Sequence, residues 1–261
     1  MSGPASSPRT ELIVQGDDFG MCHAVNTGTV RAFTDGVLTQ ASTMVACPWF
    51  PEAADLAKEH GIPLGIHATL TCEWDGLRWP PLTAGASLRG DDGLTFHRTV
   101  AGAMGADADE ATAELEAQTD RFLAAGLDLT YYDVHMGMSQ VSAYAAVTSA
   151  HGAPFLYPGV PGASLPFASI KMLSERPAAT KKDWLLGYLE RLADRPGVHL
   201  LVTHCADDEA ELAALVRPDS PVHPWAREYR VSDLAVLTDP DVGAAVAAAG
   251  IELVSVSTAA F

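Results

Sequence analysis

Positive charge is scarce in this chain. Its 261 residues hold 16 Lys and Arg against 33 Asp and Glu, a formal net charge of −17. That balance argues against a basic face for nucleic acid or for an anionic membrane. No run of 18 apolar residues occurs, so no membrane span is predicted. Cysteine is sparse as well. Cys22, Cys47, Cys72 and Cys205 form no C-x-x-C pair, which argues against a zinc knuckle or a disulfide framework and predicts free thiols in a reducing compartment. Met1 to Thr10 is rich in Ser and Pro and lacks the apolar core of a secretory signal. It reads as a flexible leader before one domain over 11–261, and a cytoplasmic location is the expectation. Internal repeats and low-complexity linkers are also absent.

What the chain does have is apolar residues, 48% of the total, enough for the core of one barrel-sized α/β domain. Short apolar runs alternate with helical patterns. Strands are predicted at Leu12–Val14, Val37–Ala46, Pro63–Leu70, Leu129–His135, Phe155–Leu156, Val198–His204 and Ile251–Val256. Helices are predicted over 23–35, 51–60, 108–125, 140–150, 181–193, 208–216 and 239–249. Such alternation specifies a parallel sheet or (β/α) barrel. Three stretches break the rhythm as loops: 71–108, 157–180 and 218–225. Long loops in an ordered domain usually carry function.

In parallel α/β folds chemistry gathers at the C-terminal ends of the strands. Four predicted strands deliver polar groups there: Asp17-Asp18, His67, Asp133 with His135, and His204. Such groups are costly in an apolar sheet unless they pair with each other, with water or with a metal. One carboxylate and two imidazoles from three strands would make an N₂O set with positions left open for water and substrate. Taken singly, each residue has a plainer role: a strand His is more often hydrogen-bonded core, and an Asp-Asp pair is often a turn or a helix cap. Asp133, two residues before His135, lies on the same face of its strand and could orient a neighbouring imidazole. Cys205 beside His204 does not make a Cys/His nucleophile pair, because adjacent strand residues face opposite sides.

Five segments in order resemble the YdjC-like carbohydrate deacetylases. They are Leu12 to Gly20 with Asp-Asp-Phe-Gly, Gly65 to Thr71 with Gly-x-His-x-x-Leu-Thr, Tyr132 to His135, Val202-Thr203-His204, and Arg230 to Thr238 followed by Gly250-Ile251. The resemblance implies a distorted TIM-like (β/α) barrel of one domain that removes an N-acetyl group from an amino sugar or sugar conjugate. It implies one divalent metal ion, zinc, magnesium or another first-row ion, with Asp18, His67 and His135 as ligands. Asp17 matches the catalytic base and His204 the general acid. Under the same resemblance a homodimer is a reasonable assembly. Met136, Gly137 and Met138 stand where the chitooligosaccharide branch has further histidines, and Cys205 stands where it has Pro, so chitobiose is not assumed as substrate.

Aromatic rings in the long loops, Trp74, Trp79, Tyr157 and Trp225, are candidates for stacking on a pyranose, and Arg230 is assigned with them to the substrate. The competing role for each tryptophan is to pin its loop onto the barrel. Two alternative functions remain open at this point. One is a glycosidase using Asp17 and Asp133 as its carboxylate pair. The other is a non-catalytic carbohydrate-binding protein on the same barrel. A chelator and an acetate assay separate all three.

Overall fold

The structure, a computed structural model, describes residues 9–261. In chain order its elements are β1 (Thr10–Phe19), α1 (His23–Thr34), β2 (Gln40–Thr43), α2 (Phe50–His60), β3 (Leu64–Ala68), α3 (Val100–Ala103), α4 (Ala108–Ala124), β4 (Tyr132–Val134) and α5 (Val141–His151). There follow β5 (Ser169–Met172), α6 (Lys181–Leu192), β6 (Gly197–Thr203), α7 (Ala210–Ala214), α8 (His223–Ala226), α9 (Glu228–Leu237), α10 (Pro240–Ala248) and β7 (Glu252–Leu253). The expected leader falls mostly on residues 1–8, outside those described, and Thr10 already belongs to β1.

All strand pairings are parallel, in the order β4-β3-β2-β1-β6-β5. β1 is long because it serves three neighbours. One edge runs along β6 from Thr10 to Gly16. On the other edge β7 takes Glu11 and Leu12 while β2 takes the stretch from Gln15 onward. The sheet curls without closing, since β4 and β5 end the path unpaired with each other. The result is a distorted, open (β/α) barrel in a single α/β domain.

Strand periodicity sorts the side chains into layers. Leu12 and Val14 of β1 point outward against Leu185 and Leu189 of α6 and Val242 of α10. Ile13 points inward, with Tyr131, Leu200 and Val202. Gln15 and then Asp17 continue that inward row toward the C-terminal rim. Gly65 of β3 stands beside Tyr131 because nothing larger fits: a Cβ there would lie 2.3 Å from the Tyr131 ring. Two helix ends show ordinary capping chemistry. Asp107 caps α4 by accepting from the Asp109 and Glu110 amides, and Gly61 closes α2 in a left-handed conformation.

Several expectations need correction, among them the short helices α3 and α8, which form in stretches expected to be loops. Phe155 and Leu156 form no strand; Phe155 makes only single bridges to Tyr132 and Ser164. The strand on that side is β5, inside the stretch expected to be loop. Its Ser-Ile-Lys-Met sequence is half-exposed at the sheet edge, so it lacks the apolar run that marks a buried parallel strand. α9 also forms where no helix was expected, and its buried positions include the polar residues Arg230 and Asp233.

Candidate active site

The C-terminal rim of the sheet collects Asp17, Asp18, His67, Asp133, His135 and His204, all buried. Two consecutive residues in a regular strand would face opposite sides. The β1–β2 register, however, passes from Gly16↔Ala41 to Phe19↔Thr43, so β1 holds one extra residue. At this bulge Asp18 adopts φ 69°, a left-handed conformation that Asp tolerates better than most residues. The bulge turns both carboxylates into the same site.

Asp18 Oδ1 lies 3.2 Å from His67 Nε2 and 3.2 Å from His135 Nδ1. It is buried and no donor is well aligned on it. Its partner oxygen, Oδ2, accepts from Arg230 Nη2 at 2.6 Å. Each imidazole is held from behind by another carboxylate. His67 Nδ1 meets Asp133 Oδ1 at 2.6 Å, and His135 Nε2 meets Glu73 Oε2 at 2.9 Å. A ring that donates on one nitrogen offers a lone pair on the other, so the free nitrogens converge with Asp18 Oδ1. These three atoms could hold a metal ion. The charge inventory fits a dication: Asp17, Asp18, Glu73 and Asp133 are buried carboxylates, and Arg230 is the guanidinium buried among them.

Without a cation, protons answer that charge. For His135 burial opposes protonation, but Glu73 and Asp18 outweigh it and raise the ring to about 9. His67 is likewise raised well above the usual histidine value, with Asp133 and Asp17 overcoming burial. Burial also opposes ionisation of Asp18, yet Arg230 and the two rings hold its carboxyl well below the carboxylate range. Asp17 goes the other way. Burial first, and Asp133 second, push it up to about 8.

Asp17 Oδ1 accepts from Gln15 Nε2 at 3.1 Å and from Ser42 Oγ at 3.2 Å. Gln15 cannot flip its amide, because its Oε1 accepts from Gln40 Nε2 at 2.7 Å, and Gln40 is itself oriented by the Val256 N–H on its Oε1 at 2.7 Å. Gln15 Nε2 also donates to Asp133 Oδ2 at 3.3 Å. Across the site His204 Nε2 stands 3.9 Å from Asp17 Oδ2. Burial pushes this ring down to about 3, so it is neutral at pH 7.

The expected aromatic platform is divided by the structure. Trp74 and Trp79 are 1% and 0% exposed, so neither has a face to offer a sugar. They fill the core beneath their loop, with Trp74 Nε1 donating to Met21 Sδ at 3.1 Å. Arg230 is also enclosed, bonded to Asp18 and to the Trp225 carbonyl. Tyr157 and Trp225 are half-buried. Trp225 meets the His204 ring edge-on at 5.3 Å, and the Tyr157 hydroxyl is raised well above its usual range by burial and by Asp17. A glycosidase pair does not fit. Oxygens of Asp17 and Asp133 lie within 4.8 Å of each other, share the Gln15 amide, and leave Asp133 fully buried on His67, so no sugar can sit between them.

Glu73, Gln15, Ser42 and Tyr131 were not singled out from the sequence. For Gln15 a signal existed: a polar residue two places before Asp17 in an apolar strand faces the same side. Glu73 gave none, being one acid in a long loop.

The family described as YdjC-like protein has a sequence model that matches residues 11–248. A carbohydrate deacetylase of Brevibacillus brevis is 32% identical over 239 residues, 87% of this chain and 84% of that one. A carbohydrate deacetylase of Geobacillus stearothermophilus is 30% identical over 249 residues, 93% of this chain and 95% of that one. The fold is similar to the crystal structure of an Enterococcus faecalis protein described as a cellobiose-phosphate cleavage protein. The TM-score is 0.81 at 21% identity, over 97% of this chain and 100% of the other.

Proposed function

This chain belongs to the YdjC-like family, and from that premise we propose that it is a metal-dependent carbohydrate N-deacetylase. The observation that carries the reading is the orphaned Asp18 Oδ1 flanked by two imidazole nitrogens at 3.2 Å. A buried carboxylate oxygen with no well-aligned donor costs free energy unless something positive meets it. Asp18, His67 and His135 would hold the ion, with Asp133 and Glu73 fixing the rings and Arg230 fixing the carboxylate. A mixed N/O set suits zinc and other first-row divalent ions, and magnesium by availability. When bound, such an ion polarises the amide carbonyl and lowers the pKa of a water molecule.

The remaining steps belong to the side chains. Asp17 takes the proton from the attacking water at a carboxylate oxygen, while Gln15 and Ser42 hold it in place. His204 is neutral at the start, so its proton comes from Asp17 across the 3.9 Å gap. Nε2 then gives that proton to the sugar nitrogen as the bond to the acetyl carbon breaks. An imidazolium that burial disfavours this strongly is a ready donor. Acetate and a free amine are the products. Half-buried Tyr157 and Trp225 flank Asp17 and His204 and offer the ring faces for a pyranose, and a backbone N–H of the Trp74 loop is the candidate second donor to the oxyanion.

The test is acetate release from a panel of N-acetylated sugars and glycoconjugates, with and without chelator and with metals restored. Chelator-sensitive acetate release supports the reading. New reducing ends that persist in chelator would replace it with a glycosidase. A protein that binds sugars unchanged, whatever the metal, would replace it with a binding protein.

A further inference from the structure

Behind His204 lies a buried polar network that the reaction above does not use. Lys181 at the start of α6 is fully buried, as are Ser174 just after β5 and Asp233 on α9. Lys181 Nζ donates to Asp233 Oδ1, to Ser232 Oγ at 2.7 Å and to the Tyr229 carbonyl at 3.1 Å. Three acceptors meet three hydrogens, so the group is an ammonium. Asp233 Oδ2 accepts from the His204 backbone N–H at 2.8 Å and from Ser174 Oγ. Burial raises this carboxyl above its ordinary range, but the Lys181 ammonium on Oδ1 and the His204 N–H on Oδ2 can only donate to it and favour the ionised form, so the Ser174 hydroxyl gives Oδ2 its hydrogen. Ser174 Oγ also lies 3.0 Å from His204 Nδ1.

A hydroxyl has one hydrogen. Ser174 directs it to Asp233, so toward His204 it can only accept, and Nδ1 must be the donor. We infer that Ser174 and Asp233 are positioning residues that fix His204 in the tautomer with hydrogen on Nδ1, leaving the Nε2 lone pair turned toward Asp17. Lys181 keeps Asp233 charged and in place. The opposite tautomer would present Nε2–H to Asp17 and could not take its proton. The serine matters because it passes on the carboxylate's orientation without its direct contact.

The catalytic consequence rests on the deacetylase reading, but the tautomer does not, and it is measurable without substrate. Protein labelled with ¹⁵N-histidine is examined by NMR at neutral pH, with the His204 ring assigned by its loss in His204→Gln. The expected spectrum shows Nδ1 protonated and Nε2 bare in the wild type. Nε2–H in the wild type overturns the inference and leaves deacetylation untouched. In the kinetic arm, Ser174→Ala should lower kcat about 10–100-fold, the usual range for a group that orients a catalytic ring, with KM and bound metal unchanged. Ser174→Thr, which keeps the hydroxyl, should recover most of the loss. An alanine variant with both the tautomer and kcat of the wild type would also overturn it. Absent acetate release together with the expected tautomer would sink the deacetylase reading alone.

Discussion

Three buried imidazoles line the site, and they sit in two kinds of surroundings. His67 and His135 each touch one carboxylate through one ring nitrogen and approach Asp18 with the other. The His204 ring touches a serine instead and reaches Asp233 only through it, while the His204 backbone N–H meets that carboxylate directly. Burial opposes protonation of all three, yet in the first two the neighbouring anions overcome it, and in the third burial prevails, with Arg230 and the other two rings adding to it, and holds the ring at about 3. The direct contact makes a nitrogen that attracts a cation, and the relayed contact makes one that passes a proton on. One side chain thus takes two roles according to the charges that touch its ring.

The sharpest way to break this division is to remove one nitrogen from the first group. His67→Ala should lose bound metal and lower acetate release by about 10³-fold or more, the scale of losing a main stabiliser of the oxyanion; metal analysis and a turnover assay read both. Asp17→Asn should keep the metal and still lose about 10³-fold in kcat, as expected for a missing general base. Equal metal loss in these two variants would dissolve the distinction between base and ligand.

Proton competition gives a third test. His67 and His135 must shed their protons before binding a cation, and both hold them above the usual histidine value, His135 up to about 9. Metal affinity should therefore climb as pH rises from about 6.5 toward 9, by up to about tenfold per unit for each proton released, and fall as pH drops. Calorimetric titration in buffers of different ionisation heat counts those protons, and an affinity flat across this window would contradict the environments described. The smallest effect is expected from Glu73→Gln, which keeps a hydrogen-bond partner for His135 but removes its charge. Metal affinity should weaken about 10-fold, with KM for the sugar unchanged at saturating metal.

Much of this was legible in the sequence because strand ends in a parallel fold collect their side chains in one place. Asp17, Asp18, His67, Asp133, His135 and His204 could be listed from that rule, and the five ordered segments already resembled the YdjC-like family. What could not be read was anything set by a neighbour distant in sequence. The bulge that turns Asp17 and Asp18 to one side depends on the β2 register. Glu73 is ordinary in sequence and becomes the partner of His135 only through the path of the 71–108 loop. The same loop encloses Trp74 and Trp79, and of the two roles their place in a long loop left open, sugar platform or loop anchor, their burial favours the anchor. β5 escaped notice because an edge strand with one exposed side lacks a continuous apolar run, and with it went Ser174, the residue it delivers to His204.

The most direct measurement is anomalous diffraction from crystals grown with zinc or cobalt. A single peak among Asp18 Oδ1, His67 Nε2 and His135 Nδ1, present in the wild type and in Asp17→Asn and missing in His67→Ala, is the predicted result. Crystals of active protein with no peak there, or with the peak at other side chains, would contradict it.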